Sequence, residues 1–497
     1  MMIWIKDSPG VFHETDRNRA VFKALTTEWL GTVSRPAATT LKKQTGTSMT
    51  NTLKTYMNRN VPRYTSYPTA PHFSDAIGSE DYAAWLSTLP PEKPVSLYLH
   101  VPFCRELCWY CGCNMKLAKK DAPVAQYAKT LNREIGLLAQ HLPQRMQVSH
   151  LHWGGGTPTA LVPDDLERAM DAVQASFDFT PDAELAIESD PRTLTDEMTL
   201  RIGQMGFTRA SFGVQEFDPK VQKAINRIQP PDMVRHSVEG LRAAGVTGIN
   251  FDLIYGLPHQ TVDTLLETIR LCVEMQPDRI ALFGYAHVPW MAKKQRLIDE
   301  AALPDGDARL QQSQAAALAL VAAGYVAIGL DHFALPSDPM AKAAREGSLR
   351  RNFQGYTTDR AETMLGVGST SIGRTPSGYV QNLAETGAWA RAVEAGVLPI
   401  AKGVGLSKDD NLRGHVIERL MCNGEVDLDA AALQFGTPRD WYHPHEAELA
   451  ILEADGLITR RGGKITVTDH GAPVVRVAAA VFDAYFAAQR ARHAVAV

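Results

Sequence analysis

The sequence predicts an α/β fold in which parallel strands form a complete or partial barrel. Between residues 95 and 331, short apolar runs alternate with helix-length amphipathic stretches, which is the pattern of repeated right-handed βαβ units. Polar residues and glycines follow these runs directly, as they do on the active face of an α/β barrel. The chain has 497 residues, which is enough for two or three domains with a large core.

The apolar runs give the predicted strands in chain order. They cover residues 95–101, 149–153, 184–189, 209–214, 248–256, 279–288 and 325–331. The polar or glycine positions that follow them are Cys104, residues 154–157, Glu188, Gln215, Asp252 and His287. Because the carboxyl ends of parallel strands meet at one edge, we expect these side chains to share one face of the barrel.

Four segments are predicted along the chain. Residues 1–48 carry no sustained periodicity and are predicted to be a flexible N-terminal extension. Residues 49–94 are predicted to form an N-terminal arm, because the motif PRYTSYPTA at 62–70 favours an extended chain. Residues 95–405 hold the barrel and its extension, and residues 406–497 form a mainly helical domain.

The C-terminal segment has the pattern of a winged helix. Helices are predicted over 408–423, 427–434 and 445–455, followed by a hairpin that turns at Gly462 and Gly463 and by a closing helix near 473–492. Residues 406–497 include 10 basic and 13 acidic residues, a net charge of −3. Since DNA binding needs Lys and Arg to neutralise phosphates, we interpret this segment as a packing or lid domain.

Charge and hydropathy exclude several classes of protein. With 51 basic and 55 acidic residues the net charge is −4, which argues against a partner made of nucleic acid or acidic membrane. The longest purely apolar run, residues 315–323, is too short to span a bilayer. The N-terminal residues lack the apolar stretch of a signal peptide, so we expect a cytoplasmic protein. No heptad pattern demands a partner chain, and a monomer is expected.

Four of the six cysteines lie within ten residues, at Cys104, Cys108, Cys111 and Cys113. This clustering is not that of a secreted disulfide framework. Three thiolates at CxxxCxxC spacing on a loop can hold three irons of a 4Fe-4S cluster and leave the fourth iron open. A closed four-cysteine zinc site is the alternative. Each of the remaining two, Cys272 and Cys422, lies alone in an apolar stretch and is interpreted as core packing.

These motifs resemble a known family. CxxxCxxC with Tyr110 before its third cysteine, and WGGGTPT after the second strand, are similar to the radical S-adenosylmethionine (SAM) enzymes. A closer resemblance, from Val61 to Phe486, is to the oxygen-independent coproporphyrinogen III oxidases, also called coproporphyrinogen dehydrogenases. The motifs that carry it, in the family's order, are PRYTSYPTA, the CGC ending at Cys113, ESDPR, GVQEF, NFDLIYGLP, YAHVP, GLDHFA and RNFQGYTT.

The resemblance implies a partial barrel of the radical SAM type and a defined chemistry. It implies one 4Fe-4S cluster and two molecules of SAM as cofactors. Reductive cleavage of SAM gives methionine and a 5′-deoxyadenosyl radical, which removes a hydrogen from the β-carbon of a propionate of coproporphyrinogen III. Loss of carbon dioxide and one electron leaves a vinyl group, and two propionates treated in this way give protoporphyrinogen IX. The reaction also implies an electron donor and an electron acceptor, which no motif identifies.

The resemblance also assigns site residues. Cys104, Cys108 and Cys111 match the cluster ligands, while Cys113 matches a cysteine that is not a ligand. In the family, one SAM is contacted by the residues that correspond to Tyr98, Gly155, Gly156, Thr157, Glu188 and Arg227 of this sequence. The second SAM is contacted by residues that match Tyr110, Gln215, Asp252, Ala286 and Ile372. The candidate catalytic residues are Tyr98, Cys113 and Glu188.

Other features of the sequence have more than one interpretation. The run of three glycines at 154–156 is also typical of a tight βα turn. His150 and His152 alternate on one strand and are interpreted as packing residues. His287 and His332 end strands and could reach a substrate. Four propionates need cations, and the candidates are Arg63, Arg296, Arg350 and Arg351.

Three functions compete with the oxidase. A haem chaperone built on the same barrel is disfavoured because such relatives lack the CGC ending and have a different arm. A related radical SAM methyltransferase that opens the haem ring is the second alternative. A zinc-dependent regulator with a winged helix is the third, and the acidic balance of the C-terminal segment argues against it.

Overall fold

The computed structural model describes residues 53, 55–57 and 59–486. The chain separates into two compact units, Met1–Asn58 and Arg59–Val497. The described residues of the first unit are helical. The predicted extension over residues 1–48 lies outside the described residues, and so does the end of the predicted closing helix from residue 487. The predicted boundaries after residues 94 and 405 stay predictions.

Nineteen strands are found in the described chain. In chain order they are β1 (Val95–Val101), β2 (Phe103–Cys104), β3 (Lys116–Leu117), β4 (Gln147–Gly155), β5 (Asp178–Ser189), β6 (Arg209–Gln215), β7 (Gly248–Tyr255), β8 (Arg279–Gly284), β9 (Val326–Ile328), β10 (His332–Ala334), β11 (Arg350–Asn352), β12 (Gly355–Thr357), β13 (Met364–Val367), β14 (Ile372–Thr375), β15 (Gly378–Asn382), β16 (Ile400–Gly405), β17 (Glu425–Asp427), β18 (Ile458–Arg461) and β19 (Lys464–Val467).

The α-helices of the second unit connect and cover these strands. They are α1 (Ser79–Ser87), α2 (Asp121–Gln140), α3 (Pro163–Ser176), α4 (Asp196–Gln204), α5 (Pro219–Ala224), α6 (Pro231–Ala243), α7 (Val262–Glu274), α8 (Gly306–Ala322), α9 (Pro339–Arg345), α10 (Thr386–Glu394), α11 (Lys408–Asn423), α12 (Leu428–Phe435), α13 (Glu446–Ala454) and α14 (Val475–Ala480). Several begin with a side-chain cap; in α4, for example, the hydroxyl of Thr195 accepts from the amide of Met198.

Twelve strands form one open sheet in the order β16-β15-β14-β13-β1-β4-β5-β6-β7-β8-β10-β9. The central strands β13, β1, β4, β5, β6, β7 and β8 pair in parallel, and the strands at both edges pair antiparallel. The sheet order ends at β16 and β9, so the barrel is not closed. The predicted partial barrel is therefore confirmed.

The central strands are apolar along most of their length because they are buried on both faces. In β1 every residue except Tyr98 is buried. The connecting helices bury one side against the sheet, as α3 does with Leu166, Ala169 and Met170. Each of these strands has helices on one face and the filled interior on the other. Such strands are continuous apolar runs in the sequence, which is why they could be predicted from it.

The structure corrects three predicted elements. The strand predicted over 279–288 ends at Gly284. The run predicted as a seventh strand over 325–331 is instead the start of the hairpin β9–β10, which turns near Gly329 at φ +59°. The helix predicted near 473–492 ends at Ala480, and the described residues that follow are turns.

The residues that follow that last helix contact the N-terminal arm. The phenol of Tyr64 donates to the carboxylate of Asp483 at 3.0 Å. The amide of Ala484 donates to the hydroxyl of Tyr67 at 3.0 Å. These bonds join residues 483 and 484, which lie among the turns after α14, to the segment at residues 64–67.

The C-terminal segment has the predicted winged-helix-like composition. Helices α11, α12 and α13 precede the hairpin β18–β19, which turns at Gly462 and Gly463. Strand β17 adds to the hairpin and gives a three-stranded sheet in the order β17-β19-β18. No helix in the described part of the chain is long and apolar enough to cross a membrane.

A buried carboxylate ties α2 to the antiparallel edge of the sheet. Glu134 is 1% exposed and accepts three hydrogen bonds, from the amide of Gly368 at 2.7 Å, the side chain of Asn382 at 2.6 Å and the indole of Trp389 at 2.9 Å. Burial raises the pKa of Glu134 to about 7, against the opposing effect of these three donors. One side chain thus joins three segments that are distant in sequence.

Replacing Glu134 by Ala should destabilise the protein strongly, because three buried donors would lose their acceptor at about 1–3 kcal/mol each. We expect a loss of at least about 3 kcal/mol in the free energy of unfolding. Urea titration followed by circular dichroism measures it. The matched control is Glu425→Ala, since Glu425 is 47% exposed and pairs with Lys464. Equal stability of the two variants would contradict the structural role of Glu134.

Candidate active site

The cysteine loop starts in β2, directly after β1, and its sulfurs contact polar groups from other strands. Cys104 Sγ lies 3.5 Å from the hydroxyl of Thr157. Cys108 Sγ accepts from the guanidinium groups of Arg192 and Arg227, each at 3.3 Å. Two guanidinium groups from different segments thus converge on this one sulfur.

The sulfurs of the loop influence one another's pKa values. Burial raises the pKa of Cys104 to about 11, and the neighbouring Cys111 and Cys108 raise it further. The hydrogen bond from Cys113 lowers the pKa of Cys111 to about 6, against burial and with help from Lys294. The three thiols predicted as cluster ligands therefore form one group.

Among the described residues, no three His, Cys, Asp or Glu side chains converge on one position that could hold a metal ion. A 4Fe-4S cluster binds each of its thiolate ligands to a different iron, so its ligands need not converge on a single point.

Three consecutive glycines allow close packing around the start of the cysteine loop. A β-carbon at Gly156 would lie 2.6 Å from the carbonyl oxygen of Phe103, in the strand that carries Cys104. A β-carbon at Gly155 would lie 2.6 Å from the ring of His100, and Gly155 has φ +116°, which favours glycine. At Gly154 it would lie 2.8 Å from the carboxylate of Glu188. The glycine turn is thus required for close packing around the site.

Glu188, at the end of β5, is held in place from two sides. Its carboxylate lies 3.1 Å from His152 Nε2 and accepts from the amide of Gly155 at 3.2 Å. Burial raises the pKa of Glu188, but His152 and Gly155 lower it more, so the net direction is down. The side chain is 39% exposed. Glu188 is therefore a partly exposed carboxylate that is held in a fixed position at the end of β5.

The three candidate catalytic residues lie close together. The phenol of Tyr98 is 3.0 Å from His100 Nδ1, and its ring stacks on His152 at 6.0 Å between centroids. Burial, then the charges of Glu188 and Cys113, raise the pKa of Tyr98 well above its usual value. The thiol of Cys113 has a raised pKa for related reasons: its bond with Cys111, burial and the charge of Glu188.

Arg227 connects the cysteine loop with the strands. It is 6% exposed and donates to the carbonyl of Gly213 at 2.5 Å and to Asp190 at 3.3 Å, besides Cys108. Its Nε is buried and has no hydrogen-bond partner. Because an unpaired buried N–H is costly, this atom indicates a polar ligand at the site.

A second group of predicted SAM contacts lies one strand further on. Gln215, at the end of β6, is 7% exposed with φ +66°, and its Oε1 is buried without a partner. Asp252, in β7, hydrogen-bonds to none of the described residues. Burial, then the charge of Glu188, raise the pKa of Asp252 to about 7. Two unpartnered polar groups on adjacent strands again fit a polar ligand.

One buried amide joins two of the other predicted contacts. Gln295 is 1% exposed, and its Nε2 donates to the carbonyl of Tyr110 at 2.7 Å and to that of Ala286 at 3.1 Å. Its Oε1 accepts from the amide of Val288 at 2.6 Å. Tyr110 and Ala286 are thereby fixed next to each other, although they are far apart in sequence.

Ile372 is less closely connected with the other site residues. It begins β14, which is separated from β1 by β13. Its carbonyl oxygen packs against Gly366, where a β-carbon would lie 2.7 Å away, and Gly366 pairs with Tyr98. The structure thus places Ile372 two strands from Tyr98 but gives no contact with Gln215 or Asp252.

Several site residues were not predicted from the sequence. His152 does more than pack, because it bonds to Glu188, whereas His150 pairs with Asp359 at 3.2 Å. Asp190 and Arg192 belong to the motif ESDPR, so the motif was a signal for them. No sequence motif around Gln295 indicated that it belongs to the site.

The two histidines considered as substrate contacts both have protein partners. His287 lies 2.9 Å from the hydroxyl of Tyr285 and 3.0 Å from Glu300. His332 lies 2.7 Å from Asp331 and packs edge-on against Tyr356. Their rings are thus oriented by neighbouring side chains.

Comparison with known proteins agrees with this geometry. Residues 98–272 match the model of the radical SAM superfamily, and residues 406–474 match that of the HemN C-terminal domain. The oxygen-independent coproporphyrinogen III oxidase of Bradyrhizobium diazoefficiens is 50% identical over 442 residues, which cover 89% of this chain and 98% of that protein. The protein of the same name from a Synechocystis species is 39% identical and covers 86% and 93%.

A solved structure shares the whole fold. The coproporphyrinogen III oxidase (HemN) from Escherichia coli, described as a radical SAM enzyme, superposes with a TM-score of 0.82 at 37% identity. The match covers 86% of this chain and all of that one. Since identity of this degree extends over both domains, the chain belongs to the family of oxygen-independent coproporphyrinogen III oxidases within the radical SAM superfamily.

Proposed function

We propose that this protein oxidatively decarboxylates two propionates of coproporphyrinogen III to vinyl groups without oxygen, giving protoporphyrinogen IX in haem synthesis. One observation supports the proposal most directly. The cysteine loop packs closely against the glycine turn, with Cys104 Sγ in contact with the hydroxyl of Thr157 and Cys108 Sγ in contact with the guanidinium of Arg227. The names of the relatives that match nearly the full chain support the same substrate.

Cys104, Cys108 and Cys111 would hold a 4Fe-4S cluster, and Gly155, Gly156, Thr157, Glu188 and Arg227 would hold SAM against it. When bound, the cluster and SAM supply the electron and the 5′-deoxyadenosyl radical that removes a hydrogen atom from the β-carbon of a propionate. The guanidinium groups of Arg192 and Arg227 donate to Cys108 Sγ and would hold that part of the loop in position.

Glu188, Tyr98 and Cys113 have distinct tasks in the proposed site. The carboxylate of Glu188 gives a fixed negative charge for the sulfonium and the ribose hydroxyls of SAM. Tyr98 and Cys113 keep their protons at neutral pH, because each has a raised pKa. These two neutral groups therefore add no opposing charge beside the carboxylate of Glu188.

We further propose that a second SAM binds where Tyr110, Gln215, Asp252, Ala286 and Ile372 lie. The buried unpartnered Oε1 of Gln215 and the unpaired carboxyl of Asp252 support this site. Gln295 supports it indirectly by holding Tyr110 beside Ala286.

The remaining parts of the proposal concern context. We infer a cytoplasmic monomer that needs an electron donor and an electron acceptor and binds no nucleic acid. We also infer the division into an arm at 49–94, a barrel with its extension at 95–405 and a C-terminal domain at 406–497. The arm and the C-terminal domain would cover the cavity and keep water from a reactive radical.

Anaerobic turnover tests the function directly. Purified, iron–sulfur-reconstituted protein receives coproporphyrinogen III, SAM and a strong reductant, and porphyrin products and 5′-deoxyadenosine are assayed together. We expect protoporphyrinogen IX with about two 5′-deoxyadenosines per molecule, since each vinyl group needs one radical. 5′-Deoxyadenosine without decarboxylated product would point to another substrate, and neither product from an intact cluster would favour the haem chaperone.

The ligand assignment predicts the effect of cysteine substitutions. Cys104→Ala, Cys108→Ala and Cys111→Ala should each abolish the bound cluster, because three thiolates are the smallest set that holds it. Iron analysis and visible absorption of the reconstituted variants measure this. Cys272→Ala is the control, as Cys272 is fully buried in the core and should keep the iron content. A full cluster in any of the three ligand variants would refute the assignment.

The second SAM site predicts a pH-dependent stoichiometry. Because the pKa of Asp252 is raised to about 7, its carboxyl becomes protonated as the pH falls from 8 to 6. Equilibrium dialysis should find two SAM per chain at pH 8, with the weaker site losing up to about tenfold in affinity at pH 6. Asp252→Asn should bind at that site weakly at both pH values, and the exposed Asp232→Asn should behave as the unchanged protein. A single SAM at pH 8 would overturn the site.

A further inference from the structure

A cavity of about 610 Å³ lies between one edge of the large sheet and the helices α11 and α12. Arg374 and Tyr379 line it from β14 and β15. Tyr64 lines it from the chain before α1, and Phe435 lines it at the end of α12. Its volume is in the range of sites for small organic ligands. The described lining includes none of the residues assigned above to the cluster or to SAM, so this is a separate candidate site.

Positive charge exceeds negative charge in the lining of this cavity. The charged side chains that line it are Arg350, Arg351, Arg360, Arg374 and Arg419, together with Glu362, Asp410 and Glu418. These groups leave a formal charge of +2. Glu362 is also paired with Lys93 at 2.8 Å, which lowers the negative charge available to the arginines. Because burial lowers the pKa of His415, its imidazole adds no charge at neutral pH, and the lining suits an anion.

Three of these arginines have partners in the described chain. Arg350 Nε pairs with Glu418 at 2.8 Å. Arg419 donates to two backbone carbonyls, at 2.7 Å and 2.9 Å. Arg360 donates to the hydroxyl of Ser348 at 3.1 Å. Their guanidinium groups therefore already bond to the protein.

The guanidinium of Arg374 differs, because it bonds to nothing in the described chain. It forms no hydrogen bond or ion pair with a described residue, and its Nε is buried without a partner. Tyr379, and after it several carboxylates, raise the pKa of Arg374 against burial, but no described carboxylate lies within ion-pair distance. The guanidinium lies 5.7 Å from the ring centroid of Tyr379, which orients it. Its whole set of donors is therefore unused by the described residues.

Arg351 lies beside Arg374. A smaller cavity of about 30 Å³ has both side chains in its lining, as the larger one does. Nε and Nη1 of Arg351 are buried without partners, and Nη2 lies 3.5 Å from the carbonyl oxygen of Arg63. The guanidinium packs 4.4 Å from the ring centroid of Tyr356. Two oriented guanidinium groups that lack an acidic partner in the described chain are suited to two negative charges on one ligand.

Apolar and aromatic side chains form much of the remaining lining. Ile417 of α11 is 2% exposed and Tyr379 is 5% exposed, so both belong to a closely packed wall. Leu406 and Phe435 line the cavity as well. A ring packed against these side chains could direct its charged groups to the arginines. A ligand with an aromatic ring and negative charge therefore matches both parts of the lining.

We propose that this cavity binds an organic dianion with an aromatic ring, whose carboxylate or phosphate oxygens bond to Arg374 and Arg351. This ligand is additional to the cluster and SAM, and the inference does not rest on the proposed function. The sheet edge, the chain before α1 and α11 all line the cavity, so a bound ligand would join the C-terminal helices to the sheet. A ligand that binds only the folded chain raises its stability.

Isothermal titration calorimetry of the reconstituted full chain tests the site with two probes that share one ring. Isophthalate carries two carboxylates, and phenyl phosphate carries one phosphate that is a dianion at pH 8. We expect at least one probe to bind with a Kd of about 1 mM or lower and to raise the melting temperature. The neutral isophthalamide should not bind. Binding of isophthalate alone would identify a carboxylate ligand, binding of phenyl phosphate alone a phosphate ligand, and binding of both a site for either oxyanion.

Variants connect the binding to this cavity. Arg374→Gln should weaken the binding of the probe about tenfold or more, because a charge-assisted contact is lost. The exposed Arg391→Gln is the matched control and should bind as the unchanged protein does. Both variants should keep their iron content and SAM affinity. If Arg374→Gln fails to fold, Arg351→Gln takes its place with the same expectation.

Three results would overturn the inference. They are the absence of binding of both probes up to about 10 mM, undiminished binding in the folded arginine variant, and competition between the probe and SAM. None of these measurements uses turnover. A protein that binds the probe but does not convert coproporphyrinogen III would therefore refute the proposed function alone.

Discussion

The close packing around three consecutive glycines is the constraint on which the site depends. Gly154, Gly155 and Gly156 leave no space for β-carbons, because Glu188, His100 and the backbone of Phe103 occupy those positions. The backbone after β4 therefore approaches the start of the cysteine loop and the end of β5 at once. The same turn supplies the amide that holds Glu188 and the hydroxyl of Thr157 near Cys104. Any side chain here would separate the ligand loop from the carboxylate that faces it.

Much of the fold could be predicted from the sequence, because the parallel strands are buried on both faces and read as continuous apolar runs. The hairpin β9–β10 could not, since its turn at Gly329 lies inside an apolar run that has the length of a strand. The early end of α14 also had no local signal. The residues that follow it, Asp483 and Ala484, bond to Tyr64 and Tyr67, more than four hundred positions away.

The site residues also divide into those that a local sequence pattern predicts and those that depend on distant contacts. The cysteines, the glycine turn, Glu188 and Asp252 stand in local motifs or within apolar strands, where an unusual residue is conspicuous. Gln295 lies in a segment without such a pattern, and its importance comes only from its bonds to Tyr110 and Ala286, which are distant in sequence. Motifs therefore indicate candidate site residues, whereas a group that holds such residues together becomes visible only when the chain is folded.

The segment at residues 61–67 is joined to the C-terminal part of the chain by direct contacts. The phenol of Tyr64 donates to Asp483, and the amide of Ala484 donates to the hydroxyl of Tyr67. Arg476 Nη1 also lies 3.5 Å from the carbonyl oxygen of Val61. In the proposed function both segments would cover the site, so the exclusion of water from a reactive radical would depend on these contacts.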